Sequence, residues 1–162
     1  MSSETFTTAM FLITSIIAAG VLINAIFPVV YTMAGTFASS SHDSDQRMRT
    51  DFRVVTTYCN VNGAATIWMK NIGSSNLPNS EIMKSDLFFG EVGNFSRMTY
   101  NVTLAGPKPW YYQVEDNTNA YWDPGETLRV DIKFSPVSKG QMMYFQFVLP
   151  DGVSRTEQFS VG

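Results

Sequence analysis

A stretch without any charged residue constrains this chain most strongly: between Glu4 and Asp43 there is no Asp, Glu, Lys or Arg. Within it, residues 9–31 read AMFLITSIIAAGVLINAIFPVVY, which is 23 mostly apolar residues. A helix needs about 20 such residues to cross a bilayer core of about 30 Å. The preceding tail is acidic and has no Lys or Arg, unlike the basic start of a secretory signal peptide. The sequence therefore favours a retained transmembrane or filament-core helix over a cleaved signal or a buried core helix.

Small and polar residues inside this run indicate where another helix could approach. Short side chains allow close contact between helix backbones, and a polar side chain in lipid is best tolerated where a neighbouring helix covers it. Pro28 is expected to kink the helix or to end its first half. The predicted helix-packing residues are Ser15, Ala18, Ala19, Gly20 and Asn24.

The composition changes abruptly at residues 39–45, which read SSSHDSD and predict either a linker or a solvated helical turn. The single histidine, His42, lies here without a nearby partner in sequence and is interpreted as solvated. We expect residues 1–50 to form a hydrophobic helix with a polar linker. Residues 51–162 are expected to form a water-facing domain.

From Phe52 onward the apolar pattern has a period of two, as in strands with one buried face. Phe52, Val54, Thr56 and Tyr58 are expected to share one face of the first strand. The predicted strands are residues 52–59, 65–72, 86–92, 98–104, 110–114, 127–134, 142–149 and 155–161. Gly, Pro, Asn and Ser separate them, with strong turn signals at residues 62–63, 123–125 and 150–152. This spacing predicts an antiparallel β-sandwich, with a small barrel as the alternative.

Composition excludes several classes of function. A net charge of −3 and a pI near 5.0 argue against nucleic acid as a partner. The chain has one cysteine and one histidine, and it has no phosphate-binding loop, nucleophile elbow or zinc spacing. We expect no enzyme, no cofactor and no metal site. A calcium loop at residues 115–119 is a minor alternative, because it lacks the spacing of an EF-hand.

Packing is the preferred role for Cys59 and for the aromatic residues of the domain, although the aromatic side chains could also form a binding platform. The tryptophans are Trp68, Trp110 and Trp122, and the adjacent tyrosines are Tyr111 and Tyr112.

Two glycosylation sequons, at Asn94 and Asn101, predict a glycosylated domain outside the cell. The positive-inside rule points the other way, because Arg47, Arg49 and Arg53 all follow the apolar run. We give the sequons more weight, since a chain can enter the membrane with a basic leader.

Four short motifs carry a resemblance to archaeal type IV pilin-like proteins, and among these to flagellar protein G of the archaellum. They are residues 3–5 leading into 9–25, residues 49–52 (RTDF), residues 68–75 (WMKNIGSS) and residues 122–128 (WDPGETL). The resemblance implies a type IV pilin-like helix followed by an immunoglobulin-like sandwich. It also implies an anchoring or stator-like protein of the archaeal cell envelope, held in the membrane and contacting other archaellum components and a surface-layer protein. Self-association would use the amino-terminal helices.

Two alternatives remain open. The chain could be a filament subunit, an archaellin or adhesion pilin, whose helix is buried in an extracellular filament and not in lipid. It could also be a membrane-anchored carbohydrate-binding or hydrolytic domain, which predicts a concave aromatic face with convergent carboxylates.

Overall fold

The computed structural model describes residues 2–115 and 119–162. Helix α1 is Ser2–Arg49, 48 residues long. The described chain separates into two units, one reaching Ser44 and one from Asp45 to Gly162, and each is considered by itself.

Helix α1 continues through both places where the sequence suggested an interruption. Pro28 lies inside the helix, so of the two alternatives, a kink or an end, the structure excludes the end. Residues 39–44 are helical as well, which makes the polar stretch a solvated helical segment. The Thr32 hydroxyl donates to the Pro28 carbonyl at 2.8 Å, one of several such bonds along the helix.

The second unit consists almost entirely of strands. They are β1 (Phe52–Asn60), β2 (Ala64–Asn71), β3 (Leu77–Pro78), β4 (Asp86–Glu91), β5 (Asn94–Arg97), β6 (Thr99–Tyr100), β7 (Pro109–Val114), β8 (Tyr121–Trp122), β9 (Thr127–Lys133), β10 (Met142–Val148) and β11 (Ser154–Ser160). A single helical turn, α2 (Asn79–Ile82), follows β3.

The strands form two main sheets with the orders β1-β2-β9-β7-β6 and β11-β10-β4-β5, and β3 pairs with β8 in a small third sheet. The described pairs are antiparallel except β6 with β7, which is parallel. The predicted class is confirmed: a mainly β chain with one long amino-terminal helix and an antiparallel, immunoglobulin-like sandwich.

The inner faces of the two sheets make one hydrophobic core. Burial alternates along β2, β9 and β10, as the period of two predicted. Trp110, Trp122 and Tyr112 are buried in this core, which confirms packing as the role of these three. Trp68 and Tyr111 are half-buried. Burial raises the pKa of Tyr112 to about 12, because the charged phenolate would lose its water.

A β-bulge in β1 overturns the predicted face of that strand. The pairing with β2 shifts between Val54 and Thr56, so one extra residue is accommodated and the strand changes face. Tyr58 is 58% exposed and Cys59 is 3% exposed, the reverse of the predicted orientation for Tyr58. Cys59 is thus a small core residue, as expected, and burial raises the pKa of its thiol to about 11.

The predicted strand at residues 98–104 is mostly a turn. Only Thr99 and Tyr100 pair, because the Asn101 side-chain oxygen accepts the Thr103 N–H at 2.9 Å and Leu104 has a φ of 51°. Strand β5, which the sequence pattern did not predict, forms a hairpin with β4 and precedes this turn.

Candidate functional site: the apolar helix and the junction at its end

The side chains of α1 are exposed from Ser3 to Ser44, including large apolar ones such as Phe11, which is 82% exposed. The helix is long and apolar enough to cross a membrane. A helix that is apolar on all sides requires cover from lipid or from other helices. The apolar surface of α1 is therefore a candidate site for membrane insertion or helix association.

Most hydroxyl groups of the apolar segment are satisfied within the helix. Thr14 donates to the Met10 carbonyl at 2.7 Å and Ser15 donates to the Leu12 carbonyl at 2.8 Å. The Asn24 side chain, in contrast, has no hydrogen-bond partner among the described residues. Pro28 has no N–H, so the Asn24 carbonyl also loses its usual donor. Two hydrogen-bonding groups of the apolar segment that lack their usual partners among the described residues, a side-chain amide and a backbone carbonyl, thus belong to Asn24.

The predicted helix-packing residues divide between two sides of α1. Ser15, Ala18 and Ala19 share a face at spacings of three and four residues. At about 100° per residue, Gly20 lies about 140° and Asn24 about 180° around the axis from Ser15. A shallow groove of about 350 Å³ follows the side that carries Thr7, Thr14, Ser15 and Ala18. The predicted helix-packing residues therefore lie on two faces of α1, where the sequence suggested one, and helix contact through them stays a prediction.

The carboxyl end of α1 is fastened by the turn that follows β2. The Arg49 carbonyl accepts the N–H groups of Ser74 at 2.8 Å and Ser75 at 3.2 Å. The Asp51 carbonyl accepts those of Ile72 and Gly73 at 3.0 and 2.9 Å. Carbonyl groups at a helix end lack partners within the helix, and here the sandwich provides them. We call residues 46–52 together with residues 71–75 the junction.

Gly73 allows this close contact. A Cβ atom at this position would lie 2.3 Å from the Arg49 carbonyl oxygen and 2.6 Å from the Asp51 nitrogen. Both neighbours are backbone atoms, so neither can rotate away. The junction therefore requires glycine here.

Asn71 ties the turn to a third segment. It is 1% exposed, and its side-chain nitrogen donates to the carbonyls of Ser75 at 2.9 Å and Trp122 at 3.0 Å. Its side-chain oxygen accepts the Gly73 N–H at 3.0 Å. Three of the four motifs that carry the resemblance meet here: RTDF, WMKNIGSS and WDPGETL.

Arg155 closes the junction from β11. Its guanidinium pairs with Asp51, donates to the Phe52 carbonyl at 3.0 Å and lies 5.8 Å from the Phe52 ring centre. Sequence reasoning named none of Asn71, Gly73 and Arg155 as site residues. The WMKNIGSS motif contained the signal for the first two, but nothing in sequence linked Arg155 to Asp51.

The two sequons lie on the surface of the second unit. Asn94 is exposed at the start of β5 and Asn101 is half-buried after β6. The Asn101 oxygen is occupied by Thr103, whereas its amide nitrogen, the atom that would carry a glycan, makes no hydrogen bond within the described residues.

Among residues 2–115 and 119–162, no group of three or more His, Cys, Asp or Glu side chains could hold a metal ion. His42 is exposed on α1. Of the suggested calcium loop, residues 116–118 lie outside the described residues. A concave surface with Tyr100, Tyr111 and Tyr112 exists, but its described lining contains no carboxylate.

Comparison with known proteins identifies relatives over almost the whole chain. The profile of a family described as archaeal-type flagellin matches residues 2–159. An uncharacterized protein of Archaeoglobus fulgidus is 28% identical over 170 residues, covering 99% of each chain.

Two solved structures share the fold. The archaellum periplasmic stator protein FlaG from Sulfolobus acidocaldarius is 21% identical with a TM-score of 0.58, and the match covers 68% of this chain and 99% of that one. The archaeal flagellum of Methanospirillum hungatei strain JF1 is 15% identical with a TM-score of 0.56, covering 91% of this chain and 90% of that one.

Proposed function

Because the chain belongs to the archaeal-type flagellin family, we propose that it is a non-enzymatic structural component of the archaeal motility apparatus. Its role is to anchor, in the manner of a stator, between the cytoplasmic membrane and the surface layer. The partners are the membrane, further copies of the chain, other archaellum components and a surface-layer protein. The chain needs no cofactor for this mechanical role.

The exposed apolar surface of α1 carries the proposal. Residues 9–31 would extend about 35 Å as a helix, close to the thickness of one bilayer core. The following residues, 32–44, include Thr32, Thr36, three consecutive serines and the charged Asp43. The strongly apolar length thus suits one membrane crossing, with the rest of the helix in the envelope.

The junction suits the transmission of force. Four backbone hydrogen bonds connect Arg49 and Asp51 to the turn at residues 72–75. The buried Asn71 amide and the Arg155–Asp51 ion pair support that turn. A load applied through residues 46–52 therefore reaches the sandwich through several bonds in parallel.

Contacts between copies would use the two faces of α1. Ser15, Ala18 and Ala19 allow close approach on one side, and Gly20 and Asn24 do so on the other, where the Asn24 amide would find a partner across the interface. The sandwich lies outside the cell in this arrangement, with glycans at Asn94 and Asn101.

A second candidate function is a filament subunit. The likeness to the Methanospirillum hungatei flagellum favours it, because that match extends over 91% of the chain. In a filament, α1 would be covered by the helices of neighbouring subunits, and an open helical array would form by repetition of one contact.

Shearing surface filaments from cells that make this protein separates the two functions. The chain would be quantified in the filament and envelope fractions by mass spectrometry that also reads its amino terminus. The anchoring role predicts small amounts confined to the envelope, with an amino terminus that is not processed. A chain that dominates the filament fraction with a processed terminus is a filament subunit, and that result would reject the anchoring role.

A further inference from the structure

Strand β7 has a neighbour along only part of one edge. On one side it pairs with β9 from Trp110 to Val114. On the other side β6 pairs only with Pro109 and Trp110, and the Asn101 N–H closes this contact by donating to the Trp110 carbonyl at 2.9 Å. Among the described residues, no strand flanks the remainder of β7 on that side.

The hydrogen-bonding direction along β7 shows which backbone groups are free. The Glu115 N–H points to β9, where it donates to the Thr127 carbonyl at 2.8 Å, whereas the Trp110 carbonyl points to β6. Directions alternate along a strand, so the N–H and C=O groups of Tyr112 and Val114 point to the free side. Within residues 2–115 and 119–162 these groups have no hydrogen-bond partner on that side.

An open groove of about 850 Å³ lies along this free edge. Tyr100, Tyr111, Met83 and Val102 give it apolar surface, and Asn79 and Gln113 give it amide groups. Val102 is 64% exposed and Met83 is 44% exposed. None of the described lining residues carries a charge. The Asn79 side-chain oxygen is buried there and has no hydrogen-bond partner in the part of the chain that the structure describes.

We propose that this groove binds an extended, uncharged segment of a partner protein, which adds as a strand beside β7. Free N–H and C=O groups at strand spacing are the features that an incoming strand matches, and alternate side chains of that strand would contact the tyrosines, Met83 and Val102. Within the part of the lining that the structure describes, which omits residues 116–118, no charged side chain would compensate a charged segment for the water it loses. The described lining therefore favours an uncharged segment. A strand of about four residues, about 13 Å long, fits the free edge.

This inference goes beyond the proposed function, because it depends only on the sandwich and applies equally to an anchor and to a filament subunit. The shearing experiment can therefore reject the anchoring role without affecting the groove proposal. A failure of the groove proposal likewise leaves the anchoring role unaffected.

A peptide experiment tests the proposal on the full chain in lipid nanodiscs. The probes are capped five-residue peptides in which Thr alternates with Val, Leu or Tyr, and the control peptides carry N-methyl groups on alternate residues. We expect hydrogen exchange at the amides of Tyr112 and Val114 to slow when a probe binds. We also expect the N-methylated peptide to bind at least about tenfold more weakly, since it loses backbone hydrogen bonds.

Variants sharpen this test. Val114→Pro removes one N–H that faces the groove without removing a bond to β9, and it should weaken binding about tenfold. Val102→Glu places a charge on the groove wall, whereas Val55→Glu places the same charge on β1, where Val55 is similarly exposed at 59%. Only the former should weaken binding. Thermal unfolding of each variant shows whether it folds, and the N-methylated control needs no variant at all.

Three results would overturn the proposal. The first is equal binding of the plain and N-methylated peptides. The second is unchanged exchange at Tyr112 and Val114 with every peptide of the panel. The third is protection of the groove by neutral oligosaccharides but not by peptides, which would make it a sugar-binding site.

Discussion

Helix α1 and the sandwich are both rich in apolar residues, but the sandwich buries these side chains and α1 leaves them exposed. In the sandwich, alternate residues of two sheets cover one another, and side chains such as Phe145 and Phe147 are fully buried. Along α1 the apolar residues occupy all sides and remain exposed from Ser3 to Ser44. Buried side chains therefore stabilise the sandwich by itself, whereas the apolar surface of α1 requires cover from lipid or from other helices.

Charged residues introduced in the centre of α1 should have the largest effect, and they should affect membrane retention but not the stability of the sandwich. Arginine costs about 2.5–3.5 kcal/mol near the middle of a membrane helix, so Ile17→Arg with Val21→Arg should cost about 6 kcal/mol. We expect the doubly substituted chain to leave the membrane pellet after an alkaline carbonate wash, while urea unfolding of the sandwich is unchanged. Val55→Arg, on the exposed side of β1, is the control and should stay in the pellet. Full membrane retention of the double variant would show that lipid is not the cover of α1.

A cavity-creating substitution in the sandwich core should instead lower the stability of the sandwich and leave membrane retention unchanged. Phe147 packs edge-on against Phe52 and Trp110, with ring centres 5.8 Å apart in both pairs. Phe147→Ala should lower the free energy of unfolding by about 3–5 kcal/mol, measured in urea, without changing membrane retention. Phe95→Ala is the matched control, because Phe95 only stacks on Tyr144 at the surface, and its loss should cost about 0.5–1.5 kcal/mol. Equal losses for the two variants would contradict the core assignment.

Gly73→Ala tests the point where the two kinds of structure are joined. The added methyl group would meet backbone atoms of Arg49 and Asp51, so we expect a loss of about 2–3 kcal/mol in urea unfolding. Ser74→Ala changes an exposed side chain in the same turn and should stay within about 0.5 kcal/mol of the parent. If both variants match the parent, the close contact at Gly73 does not exist in solution.

Alkaline pH should affect only the sandwich, and it is the mildest perturbation. The pKa of Cys59 is raised from 9.0 to about 11 by burial. The folded state therefore keeps the thiol protonated when the unfolded chain has already ionised. This contribution to stability is complete below pH 9 and is lost as the pH rises from 9 to about 11. Urea midpoints measured between pH 8 and 11 should fall above pH 9 for the parent and less steeply for Cys59→Ala. Identical slopes would mean that Cys59 is accessible to water.

Much of the sandwich could be predicted because period and turn chemistry are local properties. The alternation in residues 65–72 and 142–149 matches β2 and β10 closely, and Asp151-Gly152 forms the hairpin turn before β11. The failures came from features that alternation does not encode. The bulge after Val54 reverses the face of Tyr58, and the Asn101 side chain ends β6 by competing for backbone hydrogen bonds.

The junction could not be predicted either, because it depends on contacts between residues far apart in sequence. Asn71 and Gly73 belong to the WMKNIGSS motif, but their roles depend on Arg49, Asp51 and Trp122. Only the fold brings these residues within hydrogen-bond distance. The free edge of β7 is a further example, since the sequence of a strand does not show which part of its edge will lack a neighbouring strand.

The sequence by itself determined that this chain has one charge-free helix and a domain of short strands, because apolar periodicity and the absence of charge act residue by residue along the chain. The tertiary structure decided which side of β1 faces the core, how the end of α1 is fastened, and where backbone groups of β7 are left open. These features depend on contacts between residues far apart in sequence, and such contacts exist only after the sheets have paired and packed.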